Sequence, residues 1–434
     1  MPSSRRSFLA ACAAGISSLA GCLSLEAPST EGSWSRRTLN NEHTGYSETN
    51  GPTTDLYTEW RREDVARDVS PVVADETVYV GNAKKGDDES TRVWVEALDA
   101  ATGKSRWKTE LYQSDEFAFF YLSDSMVVED DRLFVQTKPG LTMLTTDGEV
   151  QWTFDNLYQG QQVPDVVTPV VTDEVVVAGT YESSVDDDQP ETVFGIDPET
   201  GEEQWRATYP GFDGMWQLAG ADGLVYVPFH EQGIVALDTT TGAEQWRWEG
   251  PTSGTPTITD ELLLVTLREN NKNSIVALDR HTRSVRWRVP IETQWPDAEL
   301  AVDDSRLYYM AGFSLEARRL DTGERVWQVG GRRDDEGQEP PDEPQFDLRS
   351  TPVVSGGSVY APGLFQRETS YGQLFVFDAA SGEKQGQFKI GRNETSDMTT
   401  PAVTEDLVYL TTDFDNLYAL GECTVGARGY CLLD

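Results

Sequence analysis

The chain has 434 residues, with 35 Lys and Arg against 74 Asp and Glu, which gives a formal net charge of −39 at pH 7. A field this negative repels phosphate backbones and excludes nucleic acid as a partner. Hydrophobic residues make up 38% of the chain and aromatic residues 10%, which is enough for a packed core and argues against global disorder. We interpret the acid excess first as an adaptation to salty, halophilic surroundings, in which salt screens charge to a few ångströms.

The first residues predict an export signal. Arg5 and Arg6 are followed by an apolar, alanine-rich stretch up to Ala20, which is too short for a stable transmembrane helix. The paired arginines resemble a twin-arginine signal, which exports folded cargo. Leu19–Cys22 resembles a lipobox, so Cys22 is the expected lipidation site and the protein is expected outside the cell, anchored to the cell membrane. A cleaved soluble signal with an incidental cysteine is the alternative.

The remaining cysteines agree with export. Cys12 leaves with the signal, whereas Cys423 and Cys431 lie near the C-terminus. In an oxidising compartment this pair is expected to form a disulfide that holds the C-terminal tail.

Metal and modification signals are weak. The three histidines have no ligand spacing, so no metal site is predicted. The acidic runs Asp186–Asp188 and Asp413–Asn416 lack the full spacing of a calcium loop. Asn393 begins a glycosylation sequon on an exported chain, a pattern that is common by chance.

One phrase recurs through the body of the chain, L-D-x-x-T-G-x-x-x-W. A degenerate copy has Arg283 at the glycine position, and a seventh copy ends in Phe388 instead of tryptophan. The six tryptophans that end the other copies lie 40 to 53 residues apart: Trp107, Trp152, Trp205, Trp246, Trp287 and Trp327. Self-similarity at this period is typical of a repeat architecture.

Each repeat predicts four short strands. A phrase [ST]-P-x-V, a tight turn and an apolar run precede most copies, as at Ser70–Val80. In the D-x-x-T-G turn the aspartate can cap backbone N–H groups and the glycine takes a positive φ. The tryptophan then packs between neighbouring sheets. A lone four-stranded sheet leaves its faces wet, so the units are expected to stack around a ring as a β-propeller.

The eighth unit stops at Leu420 without its tryptophan strand, and Leu56–Trp60 has the character of the missing strand. The sequence therefore predicts an all-β fold, an eight-bladed β-propeller of four-stranded antiparallel blades closed by an N-terminal strand that carries Trp60. A seven-bladed ring with an extra hairpin is the alternative. The predicted organisation is a signal peptide at 1–21, a flexible tether at 22–33, the propeller at 34–422 and the tail at 423–434.

The repeat resembles that of the PQQ-like (pyrroloquinoline quinone) propeller family, best at Val235–Trp246 and Val276–Trp287. Trp34–Trp60 resembles the leader of its secreted members. The enzyme branch of this family holds PQQ and calcium over the centre of the ring, but the chain has neither an adjacent cysteine pair nor a C-x-x-C-H haem motif. PQQ and calcium are thus unsupported by motifs, and the resemblance favours the branch whose lipid-tethered members act as scaffolds.

The loops predict which face is functional. The D-x-x-T-G turns and the tight turns before each second strand are uniform and share one face, whereas the loops of the other face vary and are aromatic. Functional residues concentrate in variable loops on a rigid scaffold. The candidate binding residues are Phe117, Phe119, Phe120, Tyr121, Tyr158, Tyr209, Phe212, Trp216, Trp295 and Phe346. The alternative is that these aromatics pack the loops onto the ring.

The predicted function is therefore a monomeric scaffold or binding module with a protein partner on the variable loops. No catalytic residue is predicted. A PQQ-dependent dehydrogenase and a binder of an exported solute or polysaccharide are the alternatives.

Overall fold

The structure is a computed structural model that contains strands and no helix in the residues that it describes. None of them forms a helix long and apolar enough to cross a membrane. The described residues are 28–63, 65, 69–86, 90–114, 125–137, 140–155, 157, 167–180, 190–212, 214–291, 299–312, 314–330, 345–346, 350–365, 371–389, 398–412, 416–422, 426–427 and 430–431.

The first half of the chain contains two N-terminal strands, followed by four blades. The two N-terminal strands are β1 (Tyr46–Ser47) and β2 (Leu56–Glu63), which do not pair with each other. Blades one and two contain β3 (Val72–Ala74), β4 (Thr77–Lys85), β5 (Thr91–Asp99), β6 (Ser105–Ser114), β7 (Met126–Glu129), β8 (Arg132–Thr137), β9 (Gly140–Thr145) and β10 (Val150–Phe154). Blades three and four contain β11 (Val170–Val171), β12 (Val176–Gly179), β13 (Glu191–Ile196), β14 (Glu203–Tyr209), β15 (Ala219–Ala221), β16 (Leu224–Phe229), β17 (Gly233–Asp238) and β18 (Glu244–Trp248).

The second half continues the pattern and ends in a small hairpin. Blades five and six contain β19 (Thr257–Ile258), β20 (Leu262–Glu269), β21 (Lys272–Asp279), β22 (Val285–Ile291), β23 (Ala301–Val302), β24 (Arg306–Ala311), β25 (Ser314–Arg319) and β26 (Arg325–Gly330). Blades seven and eight contain β28 (Val353–Ser355), β29 (Ser358–Phe365), β30 (Tyr371–Asp378), β31 (Lys384–Lys389), β32 (Ala402–Val403), β33 (Leu407–Thr412) and β34 (Asn416–Glu422). Outside this pattern, β27 (Gln345–Phe346) pairs with β29, and β35 (Gly426–Ala427) pairs with β36 (Tyr430–Cys431).

Eight blades of four antiparallel strands form the ring, and β1 and β27 extend the sheet of blade seven. The predicted eight-bladed propeller is thus confirmed. Seven blades take their strands in chain order, from the innermost to the outermost. The outermost strand of blade eight is β2, which pairs with β34 from Leu56 opposite Glu422 to Glu63 opposite Asn416. The predicted closure by the N-terminal strand is thus confirmed, and the seven-bladed alternative is wrong.

The junctions between blades are built by the repeat tryptophans. Six of them donate the indole N–H to a backbone carbonyl in the D-x-x-T-G turn, or its shortened form, of the next blade, at 2.7 to 3.0 Å. These tryptophans are Trp60, Trp107, Trp152, Trp205, Trp287 and Trp327. The bond from Trp60 reaches Ala100 of blade one, so the junction that closes the ring is built like the others.

The glycine of each D-x-x-T-G turn lies against the tryptophan of the preceding blade. A Cβ on Gly242, whose φ is +68°, would lie 2.3 Å from the Trp205 ring. At the degenerate copy, Arg283 has a φ of +64° and places its guanidinium 5.3 Å from the centre of the Trp246 ring. At the junction between blades seven and eight, Phe388 stands where the other copies have tryptophan, and its ring centre lies 5.8 Å from that of Tyr418.

The two kinds of uniform turn lie on one face, as predicted. In blade four the Thr239 N–H donates to the Gly223 carbonyl at 2.9 Å, which joins the D-x-x-T-G turn to the tight turn before the second strand. The Asp238 side chain accepts from the Thr241 N–H at 2.9 Å, which confirms the predicted cap. We call this side of the ring the turn face, and the opposite side the variable-loop face.

Candidate functional site

The axis of the ring is filled by the chain's own N-terminal segment, which we call the leader (residues 28–55). It makes one circuit of the axis along the innermost strands. Its backbone or side chains bond to every blade in turn: Glu31 to Glu405, Trp34 to Val73, Ser35 to Val128, Asn41 to Val171 and Gly220, Glu42 to Ile258, Thr44 to Val302, and Gly45 to Val354. Each partner residue lies at the turn-face end of its strand, or just beyond it in the tight turn, so the leader closes the axis from the turn face.

The leader then leaves the axis between blades seven and eight. The Tyr360 hydroxyl donates to the Pro52 carbonyl at 2.9 Å. Gly51 passes so close to Tyr360 and Val403 that a Cβ there would lie 2.3 Å from the Val403 side chain. The N–H groups of Thr53 and Thr54 donate to the Glu422 carboxylate, which brings the chain to the start of β2.

A polar cluster around Arg37 lies at the centre of the ring. Its guanidinium donates to Glu299 at 3.0 Å, to Thr351 at 3.3 Å and to Thr400 at 3.1 Å, and these residues precede or begin the innermost strands of blades six, seven and eight. The Thr351 hydroxyl also donates to Glu299. The Trp34 indole donates to the Arg37 carbonyl at 3.0 Å and holds the leader backbone beneath the cluster.

Two further basic residues of the leader are buried on the other side of the axis. Arg36 is 1% exposed and donates to the Pro169 carbonyl at 3.0 Å. Burial lowers its pKa to about 10, although Glu129 and Glu42 oppose the shift. His43 is 5% exposed and lies between the Thr38 hydroxyl, at 2.6 Å, and the Leu218 carbonyl, at 2.7 Å. Burial, and then the charge of Arg36, lower the pKa of His43 to about 3. The imidazole is therefore neutral at pH 7.

The described residues of the axis do not fit a quinone held over calcium. Such a site needs cations for an anionic cofactor and six to eight oxygen ligands for the metal. Arg36 and Arg37 already bond to the ring, and Glu299 is bonded to Arg37. Across the described ranges, no three His, Cys, Asp or Glu side chains come together as metal ligands.

Two of the predicted aromatic residues, Tyr209 and Phe212, lie between blades three and four on the variable-loop face. Tyr209 is buried, and its ring centre lies 5.6 Å from that of Phe212 and 4.8 Å from that of Phe229. Burial raises the pKa of Tyr209 to about 12. For Tyr209 and Phe212 these contacts agree with the alternative interpretation, in which the aromatic side chains pack the loops onto the ring.

Trp216 is the predicted residue that the structure leaves best placed for a partner. It is partly exposed and its ring centre lies 5.9 Å from that of His230, but its indole nitrogen is buried and has no hydrogen-bond partner among the described residues. Because this nitrogen is buried, Trp216 offers a partner apolar surface and not the indole N–H.

The remaining predicted site residues fall largely outside the description. Phe346 and Cys431 are described by their backbone alone, in β27 and β36. The residues outside the described ranges are Arg5, Arg6, Cys22, Phe117, Phe119, Phe120, Tyr121, Tyr158, Trp295 and Cys423, together with the two acidic runs except Asn416, and Asn393. The Asn416 amide oxygen accepts from Arg61 at 2.9 Å. Binding, lipidation and the disulfide stay predictions.

Sequence analysis missed the leader as an axial element. The family resemblance included the segment from Trp34 onward, but no motif indicated that Arg36, Arg37 and His43 would lie inside the ring. The structure also places Ser29 and Glu31 against blade eight, within the range predicted as a free tether.

The family model described as outer membrane protein assembly factor BamB matches residues 57–187 and 189–424. The chain belongs to this PQQ-like propeller family. The leader precedes the matched residues. No curated protein matches the chain in sequence.

Solved structures of the same fold include a BamB protein and two dehydrogenases. BamB from Moraxella catarrhalis superposes with a TM-score of 0.59 at 14% identity, covering 85% of this chain and 100% of that one. A europium-containing methanol dehydrogenase gives 0.64 at 14%, covering 90% and 98%. A quinohemoprotein alcohol dehydrogenase from Comamonas testosteroni gives 0.62 at 14%, covering 93% and 83%. At these identities the likeness shows the fold alone.

Proposed function

We propose that the chain is a scaffold lipoprotein, anchored at the outer surface of the cell membrane, which binds a protein partner through its variable-loop face. The observation that carries this proposal is the axis, which the leader fills with Arg36, Arg37 and His43. The cations at the centre, Arg36 and Arg37, belong to the leader and bond it to the ring. The paired arginines and the lipobox at Cys22 support export and anchoring.

A PQQ-dependent dehydrogenase is the second candidate, because methanol and alcohol dehydrogenases share the fold. The two candidates differ in what the purified protein does with PQQ and calcium. We expect a scaffold to show no bound-quinone absorbance and no reduction of an artificial electron-acceptor dye with alcohols. Bound quinone together with alcohol-dependent dye reduction would establish the enzyme.

The partner surface is tested by crosslinking in membranes. We expect a Phe119→Ala/Tyr158→Ala/Trp216→Ala variant to lose the crosslinked protein adducts of the native chain. A turn-face variant, Thr240→Ala, is the matched control and keeps them, since Thr240 is exposed on the opposite face. Unchanged adducts in the folded triple variant would contradict the proposed surface. Retention on an exported polysaccharide instead of protein adducts would favour the solute binder.

A further inference from the structure

The leader determines where the chain's N-terminal part emerges from the ring. The Ser29 N–H donates to the Asp406 carboxylate at 2.6 Å, and the Ser29 hydroxyl donates to Glu405 at 2.6 Å. The Glu405 N–H donates to the Glu31 carbonyl at 2.9 Å. Glu405 and Asp406 form the tight turn of blade eight, so the chain emerges beside the axis on the turn face.

The chain between this point and Cys22 is short. Seven residue steps separate Cys22 from Ser29, and at about 3.6 Å a step the extended segment spans at most about 25 Å. To reach a membrane on the other side of the ring it would cross a sheet about 14 Å wide and then a strand such as β20, about 26 Å long. That path of about 40 Å exceeds the available length.

From this geometry we infer that the turn face is the surface that faces the membrane and that the variable-loop face points away from it. The inference rests on the proposed lipid anchor at Cys22. It makes the variable-loop face accessible to a partner that approaches from outside, or to the projecting domain of another membrane protein.

The chemistry of the turn face fits a hydrated headgroup layer and does not fit insertion. Seven of the eight tight turns around the axis carry carboxylates: Asp75–Glu76, Asp130–Asp131, Asp173–Glu174, Asp222, Asp260–Glu261, Asp303–Asp304 and Glu405–Asp406. Among the described residues the exposed large hydrophobic side chains are Val150, Val285 and Val326, all on outermost strands. Because carboxylates repel anionic lipids, the ring is held at the membrane by its tether and kept off the lipid surface by its charge.

The orientation is tested by energy transfer from single dyes to acceptor-labelled lipid headgroups. The full-length lipidated protein is reconstituted into vesicles, with Cys423 and Cys431 replaced by serine. Thr240→Cys and Ala380→Cys carry the dye on the turn face, and Lys85→Cys and Lys272→Cys carry it on the variable-loop face. All four positions are exposed. Since the faces lie about 26 Å apart, we expect transfer from both turn-face dyes to be about twofold or more stronger.

Failure of the anchor and failure of the orientation give different results. If the native chain does not float with vesicles, or floats equally well after Cys22→Ser, the proposed anchoring is wrong. If the chain floats through Cys22 but transfer is equal from both faces, or stronger from Lys85→Cys and Lys272→Cys, the orientation is wrong. Unfolding midpoints close to that of the native chain show that the four variants are folded.

Discussion

At the residue scale, the repeat phrase describes a contact between blades as much as a turn within one. The aspartate caps its own turn, whereas the glycine and the tryptophan meet across the junction, as Gly242 meets Trp205. Gly and Trp could be predicted because turn chemistry and plug packing are local and recur in every copy. The stacking of Arg283 on Trp246 could not, since it depends on which blade follows which.

This contact predicts an unequal pair of glycine substitutions. Gly242 and Gly223 both have positive φ, +68° and +74°, but a Cβ on Gly223 meets nothing within 4 Å. Gly223→Ala is expected to lower the free energy of unfolding by about 1 kcal/mol, the cost of the left-handed backbone. Gly242→Ala is expected to cost about 2–4 kcal/mol, since it adds overpacking against the indole of Trp205. Urea unfolding measures both, and equal losses would contradict a tight junction.

At the element scale, the leader is a separate structural unit, and only its short strand β1 joins the sheet of a blade, by pairing with β28. Its sequence shows no alternating strand pattern and is rich in turn residues, as in the run Thr49–Asp55, and it has the short strand β1 and one isolated bridge, from Trp34 to Val73. Its conformation follows from bonds to all eight blades, which come together only after the ring has closed. The closing strand β2 is different, because its β-character and its Trp60 are visible in the sequence.

The buried histidine makes docking of the leader dependent on pH. His43 has a folded pKa of about 3 and an ordinary pKa of 6.5, so the undocked form binds a proton first as the pH falls. The contribution of His43 is therefore complete above pH 6.5 and is lost as the pH falls toward 3. One such group costs about 2 kcal/mol between pH 7.5 and 5. We expect the protection factors of the leader amides against hydrogen exchange to fall over this range, relative to those of amides in the blade cores.

The matching variants separate His43 from the other titrating groups. His43→Gln should remove the pH dependence above pH 5, whereas His281→Gln, in an exposed turn of blade five, should retain it. If leader exchange has the same pH dependence in His43→Gln as in the native chain, the buried imidazole is not its cause.

At the scale of the whole molecule, the fold determines where the acidic and basic side chains lie. The tight turns place carboxylates around one end of the axis, while the basic residues Arg36 and Arg37 lie inside it. Self-repulsion among surface carboxylates destabilises the compact state, and salt reduces it by shortening the screening length.

We expect the urea midpoint of unfolding to rise as sodium chloride increases from 0.1 M to 1 M, where the screening length falls from about 10 Å to about 3 Å. An Asp173→Asn/Glu174→Gln variant, which removes one acidic turn, should show a smaller rise. A midpoint that is constant or falls with salt would show that acidic repulsion does not limit stability.

The amino-acid sequence by itself determined the ring: eight repeats, four strands in each, the turn residues, the tryptophan junctions and the closing strand. It could do so because each of these features depends on residues a few positions apart, repeated many times. Only the tertiary structure decided how the axis is filled, and with it the face on which the N-terminal segment emerges. The contacts of Arg37 with Glu299, Thr351 and Thr400 span more than 250 positions of the chain. Their partners become neighbours only when the blades have closed around the leader.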